Sequence, residues 1–216
     1  MASQGSSNRS LCLQRGLLHD PEFNSSRCLL VYSTDCVSMR PFGLAASLPS
    51  HYGYGSVHDS RRGMLTVPTR TCIRDRGIPG TIKLFSPPTS GPFICAFFAQ
   101  YGIGPPVEEN SIAQSQVARS QERAFVQGLR RDTTSHRLEY FGECLSNLEE
   151  ELSLKNEIKK IIFPAGIGWR GIPDAHWALQ YKPLLNKFAE HLGDAREVIL
   201  LSLDNSIFIK KRQYVR

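Results

Sequence analysis

Residues 159–177 read KKIIFPAGIGWRGIPDAHW. An apolar run, Ile161-Ile162-Phe163, meets Pro164 and then a loop with glycines at positions 166, 168 and 171, and Asp174 opens a stretch of helical character after Pro173. A short apolar run bounded by turn residues predicts a buried strand. Strand, bare loop and helix in that order make an anion cradle, because glycines let backbone N–H groups converge and the helix N-terminus adds partial positive charge. The spacing is neither a Walker A loop nor a GxGxxG dinucleotide fingerprint. Glycines also serve ordinary tight turns, so spacing alone leaves both readings open.

Working outward, the following helix is predicted over 174–192, with Trp177, Tyr181, Leu184, Leu185, Phe188 and Leu192 on one face and a kink or break at Pro183. A last strand is predicted over 198–203. Upstream, Leu138, Phe141, Leu145, Leu148 and Leu152 recur at intervals of three and four, which predicts a helix that Thr133 or Thr134 can cap. FICAFFAQ (93–100) is apolar on both sides, as a strand buried on both faces in the middle of a layered sheet should be. Shorter strands are predicted over 28–32, 64–67, 81–85 and 158–163. LAASLPSHYGYG (44–55) predicts a short helix stopped by Pro49 or by the glycines. Strands alternating with helices give an α/β fold, a three-layer α/β/α sandwich on a central mixed sheet. The chain divides into an N-terminal arm, partly disordered (1–27), a domain (28–203) carrying an insertion (101–132), and a basic C-terminal tail (204–216).

The 216 residues are 41% hydrophobic and 21% charged, an ordinary globular balance. No apolar run approaches the roughly 20 residues that span a bilayer, and MASQGSSNRS has no apolar segment behind a basic start. No membrane association is expected. The six cysteines lack CxxC or zinc-finger spacing, which points to a reducing intracellular compartment, cytoplasmic or nuclear, and to no structural metal. The histidines are too scattered to suggest a metal site, and no cofactor is expected. Net charge is +6 with a pI near 9.1. The excess gathers in the tail KKRQYVR and in arginines 61, 62, 70, 74 and 76, a surface suited to RNA or another polyanion.

FPAGIGWRGIPDAHWALQYKPLLNKFAEH resembles the phosphate loop of the macro domain family, FP-x-GIGCGL followed by a Trp-led helix. LLVYSTDCVSMRPFGLAASL is similar to that family's first loop, GPFICAFFAQYGIG to its central strand, and HRLEYFGECLSNLEEEL to the helix after it. Taken in order, the likeness covers roughly residues 28 to 203. It implies recognition of ADP-ribose, with the diphosphate and distal ribose between two loops. Thr34, Asp35, Cys36, Val37, Gly43, Leu44 and Ala45 would form one wall, Gly166, Ile167, Gly168, Trp169, Arg170 and Gly171 the other, and Gln100 and Tyr101 would flank the cleft.

The likeness also bears on chemistry. Family members include hydrolases of ADP-ribosyl esters, phosphatases of ADP-ribose 1″-phosphate and plain binders, none needing a tightly held metal. If this chain is catalytic, Asp35 can polarise a ribose hydroxyl or water. Asp174 can serve as acid or base, and is equally placed to cap its helix. Asp35 stands where many catalytic members carry Asn, the second loop is about one residue longer than the pattern, and Asp20 is a poor match for the family's adenine contact. Three functions stay open: a hydrolase of ADP-ribosyl or ADP-ribose-phosphate substrates, a non-catalytic reader of ADP-ribose or poly(ADP-ribose), and a basic nucleic-acid binder. Nothing in the sequence sets the oligomeric state.

Overall fold

The computed structural model describes residues 11–65, 67–102, 104–106, 132–167 and 174–203, with main chain only at 174 and 203. Among them are six strands, β1 (Cys12–Gly16), β2 (Cys28–Asp35), β3 (Ile82–Phe85), β4 (Phe93–Gln100), β5 (Lys160–Pro164) and β6 (Glu197–Leu203), and three α-helices, α1 (Leu44–Tyr52), α2 (Thr134–Ser153) and α3 (Asp174–Leu192). The strands form one mixed sheet in the order β1-β6-β5-β2-β4-β3. All neighbours are parallel except β3 and β4.

The inner strands are apolar on both faces because both are covered. Odd-numbered side chains of β2, Leu29 and Val31, join Phe97 of β4, Ile161 and Phe163 of β5, and the inner faces of α2 and α3 in one cluster. The even-numbered ones, Leu30 and Tyr32, join Ile94, Ile162 and Leu201 with Ala45 and Leu48 of α1 in the other. This is the expected three-layer α/β/α arrangement. Aromatic rings tie the first layer together: Phe97 lies 5.9 Å from Phe141 and 6.0 Å from Phe163, and Phe163 lies 5.9 Å from Phe188. Such pairs add roughly 0.5–1.5 kcal/mol each beyond area burial.

Thr133 caps α2, its hydroxyl accepting from the His136 N–H. Gly53, at φ +76°, ends α1, and Pro49 stays inside it. Pro183 likewise sits inside a continuous α3 rather than breaking it. It is exposed, as is Leu179 one turn earlier, so the carbonyl it leaves without a donor can face water. FICAFFAQ is an interior strand, next to the edge rather than at the centre. The strand expected over 64–67 is absent among the described residues there. Gly63 instead makes an isolated bridge to Thr71, and Leu65 is fully exposed.

The N-terminal segment departs most from expectation. Cys12–Gly16 is not an arm but the edge strand of the sheet, pairing with Ile199–Leu203. Its side chains are mostly exposed, so backbone pairing and the buried Leu11 just before it hold it, and no apolar pattern announces it. Leu18 and Phe23, just beyond, are buried.

Candidate functional site

The strands β2, β4, β5 and β6 run parallel, so their carboxyl ends share one edge of the sheet. From β2 the chain turns to α1 on one face, and from β5, its hydrogen-bonded neighbour, to α3 on the other. Loops leaving adjacent strand ends for opposite faces open a crevice, the topological switch point where open α/β sheets bind ligands.

The first loop is knitted inward. Asp35 is 5% exposed. Its Oδ1 accepts from the Val37 N–H at 2.9 Å, the Ser38 N–H at 2.6 Å and the Ser38 hydroxyl at 2.6 Å. The Cys36 N–H donates to the Tyr101 carbonyl at 3.1 Å. The amides of residues 36–38 are therefore engaged, and Thr34, Cys36 and Val37 are buried. Burial, with Asp35 beside it, pushes the Cys36 thiol well up, so it stays protonated and is no nucleophile.

Arg61 supports this turn from beneath. It donates to the carbonyls of Ser38 (2.6 Å) and Asp35 (2.8 Å), with its guanidinium 5.8 Å from the Phe98 ring. Counted with the basic surface from sequence, it is buried instead. Arg62 is paired with Asp75 at 2.7 Å, and Arg76 donates to the Tyr101 hydroxyl at 3.1 Å. His58 lies close by, 6% exposed with both ring nitrogens unpartnered. Burial first, then the Arg61 charge, pulls its pKa down to about 4.

The open part of this wall begins after the turn. Gly43 starts α1 at φ +56°, no described side chain caps the helix, and a Cβ at Gly43 would meet no described atom within 4 Å. The amides of Leu44 and Ala45 follow in the first turn of the helix. Phe42, half-exposed, stands at the rim.

On the other flank of β2, Asp35 pairs in register with Gln100 of β4. Beyond Gln100, the Asp132 carboxylate accepts from the Tyr101 and Gly102 amides at 2.9 and 3.0 Å. Arg137 of α2 meets both oxygens of Asp132, at 3.0 and 2.7 Å, with each side chain 1% exposed. Arg137 also donates to the carbonyls of Gly104 (2.9 Å) and Pro105 (3.3 Å), and to Gln100 Oε1 at 3.4 Å. Both ends of the expected insertion are thus held at one buried ion pair. The reading from sequence missed it, although Arg137 falls four residues before Phe141 on the apolar stripe of α2. A cation on such a stripe signals a buried partner.

After β5, the Ala165 amide donates to the Leu201 carbonyl at 2.7 Å, and that of Ile167 to Pro164 at 3.0 Å. Gly166 takes φ +78°, a left-handed conformation that favours glycine. The Trp177 indole donates to the Ile167 carbonyl at 2.9 Å, fixing the loop to α3. Gly168, Trp169, Arg170 and Gly171 lie outside the described residues. Asp174 is the first residue of α3, and its side chain also lies outside them. Asp20 closes its own turn, accepting from the Leu17 N–H at 2.7 Å. Among the described residues no three His, Cys, Asp or Glu side chains gather as a metal cage, and no helix is long and apolar enough to cross a membrane.

No protein-family profile and no curated protein matches the chain. Among solved structures it is similar to a mutant of the Oceanobacillus iheyensis macrodomain, at 16% identity over 94% of this chain and 90% of that chain, with a TM-score of 0.51. At that identity the likeness is one of fold, and the fold is that of a macrodomain.

Proposed function

We propose that this chain, built on a macrodomain fold, binds ADP-ribose or an ADP-ribosyl derivative in the crevice between the ends of β2 and β5. One observation carries the reading: two adjacent parallel strands end in loops on opposite faces, one leading through Gly43 into an uncapped helix, the other through a left-handed Gly166. A helix N-terminus and a bare loop facing one crevice suit a diphosphate. On the first wall the contacts are the amides of Leu44 and Ala45, because those of residues 36–38 are already engaged. The residues at 168–171 would complete the second.

The reader function is supported better than the hydrolase. Asp35, 5% exposed, spends its Oδ1 on three hydrogen bonds within its own turn, which makes it a turn cap. The polyanion reading is weakened, since Arg61, Arg62 and Arg76 are occupied within the fold.

Calorimetric titration with ADP-ribose, with ADP and AMP as comparators, tests binding. Micromolar affinity for ADP-ribose is expected, lost in Gly166→Glu and weakened in Ala165→Asp, whose position is exposed. No heat from the folded wild-type chain would reject the site. Incubation with an ADP-ribosylated protein and with ADP-ribose 1″-phosphate separates the two functions. A reader releases nothing, whereas release of ADP-ribose or phosphate would restore the hydrolase.

A further inference from the structure

We propose that His19 and His51 form a two-histidine site for a divalent transition-metal ion of the zinc, nickel or copper class, with water completing the coordination. The two lie in distant segments, so no spacing motif announces them, but folding brings their ring centroids to 5.2 Å with the planes tilted by 38°. A metal 2.0–2.1 Å from a ring nitrogen stands roughly 3.2 Å from that ring's centroid. Two imidazoles sharing one ion at a tetrahedral angle therefore place their centroids roughly 5.2 Å apart, and at a right angle roughly 4.5 Å apart. The observed separation matches the tetrahedral value.

Both supports are fixed before any ion arrives. His51 stands in the last turn of α1, whose carbonyl end favours a cation. That turn is closed by the Gly53 amide on the Pro49 carbonyl at 2.8 Å, and Tyr52 meets the His51 ring edge-on at 4.7 Å. His19 sits in a turn closed by Asp20, whose N–H donates to the Leu17 carbonyl at 3.0 Å and whose carboxylate accepts from the Leu17 N–H. Leu18 buries itself below, and its carbonyl accepts from the Tyr52 hydroxyl at 3.3 Å, tying the two segments together. Little ordering remains for binding to oppose. Both imidazoles are exposed, so a hydrated ion reaches them.

Neutral imidazole selects borderline metals over magnesium or calcium, which prefer oxygen. The nine residues of α1 put about 13 Å between its two ends, so this site is separate from the crevice at Gly43 and does not rest on the ligand proposed there. The other described histidines are otherwise placed: His58 is buried, His136 is hydrogen-bonded to Thr133 at 2.8 Å, His191 lies 3.6 Å from Glu149, and His176 stands in the first turn of α3. Exposed Cys12 is the competing ligand to control for.

The test is calorimetric titration of the untagged full chain with nickel chloride and zinc chloride, and with magnesium chloride as the negative control. Wild type is compared with His19→Ala, His51→Ala and Cys12→Ser, all exposed positions, with folding checked by circular dichroism. One nickel ion per chain is expected in wild type and in Cys12→Ser, with affinity at least about tenfold weaker in each histidine variant, since each removes one of two protein ligands. Absence of binding by wild type, undiminished binding in either histidine variant, or loss in Cys12→Ser would overturn the pair, the rings then merely stacking.

Discussion

At the scale of single residues, Asp35 and His58 are opposite cases of a buried polar group. Asp35 is satisfied: Asp35→Ala would leave the buried amides of Val37 and Ser38 without their acceptor, costing about 2–4 kcal/mol in urea unfolding. Asp35→Asn keeps an oxygen there and should cost under about 1 kcal/mol, with ADP-ribose affinity retained if the residue is a turn cap. His58 is unsatisfied, and its folded pKa of about 4 lies below the ordinary 6.5. Between those values the unfolded chain binds the extra proton, so stability is full above pH 6.5 and falls as pH drops toward 4. The loss amounts to about 2–3 kcal/mol by pH 4. His58→Phe, which leaves no nitrogen to desolvate, should flatten that slope in denaturant midpoints measured from pH 4 to 7. An unchanged slope would mean that His58 does not titrate as its burial requires. Neither His58 nor Arg61 was legible in SVHDSRRG. Arg61 is buried and Arg62 exposed because the carbonyls of Asp35 and Ser38 arrive beside only one of them, and those carbonyls come from a distant turn.

At the scale of elements, periodicity found α2 and α3, because burial of one face leaves a repeating mark, and an unbroken apolar run found β4, buried on both faces. It could not show what α2 does at its start. Arg137 spends its donors on Asp132 and on carbonyls beyond β4, joining a helix to the residues that follow β4. Removing one partner of so buried a pair leaves an uncompensated charge. Arg137→Met should therefore cost about 3–5 kcal/mol. Arg137→Lys should not rescue it, because a point charge cannot serve acceptors spread across a planar fork. Chemical unfolding of the two variants checks this, and full rescue by lysine would reduce the fork to simple charge pairing. Pro183 makes the contrary prediction. In a continuous helix with an exposed proline, Pro183→Ala restores the donor to the Leu179 carbonyl and should stabilise by about 1–3 kcal/mol. A lower thermal midpoint in that variant would show that the ring is needed for packing.

At the scale of the whole molecule, every described strand but β1 was legible while their order was not, and the order makes the crevice. Glycine loops after β2 and β5 stand far apart in sequence, and only the placement of β5 beside β2, with β4 on the other flank, brings them together. The same limit hid β1, whose partner is the last strand of the domain and whose exposed side chains carry no alternation. Such a strand has a specific job. Without it β6 would be an open edge, carrying apolar Ile199 and Leu201 and a row of unpaired amides, the template on which chains associate. A chain beginning at Leu18 keeps Phe23 and every described element but β1. It should lose about 3–6 kcal/mol of stability, from the backbone pairing of Cys12 to Gly16 and the burial of Leu11 less the entropy of ordering them. It should also self-associate with concentration, as read by sedimentation. Phe23→Ala in the full chain separates edge from anchor: its loss of about 3–5 kcal/mol comes from a fully buried ring and should leave the oligomeric state of the full chain unchanged while it stays folded. If the shortened chain unfolds at the full-length midpoint and associates no more than the full chain does, the first strand is an appendage after all, and the sheet closes on β6.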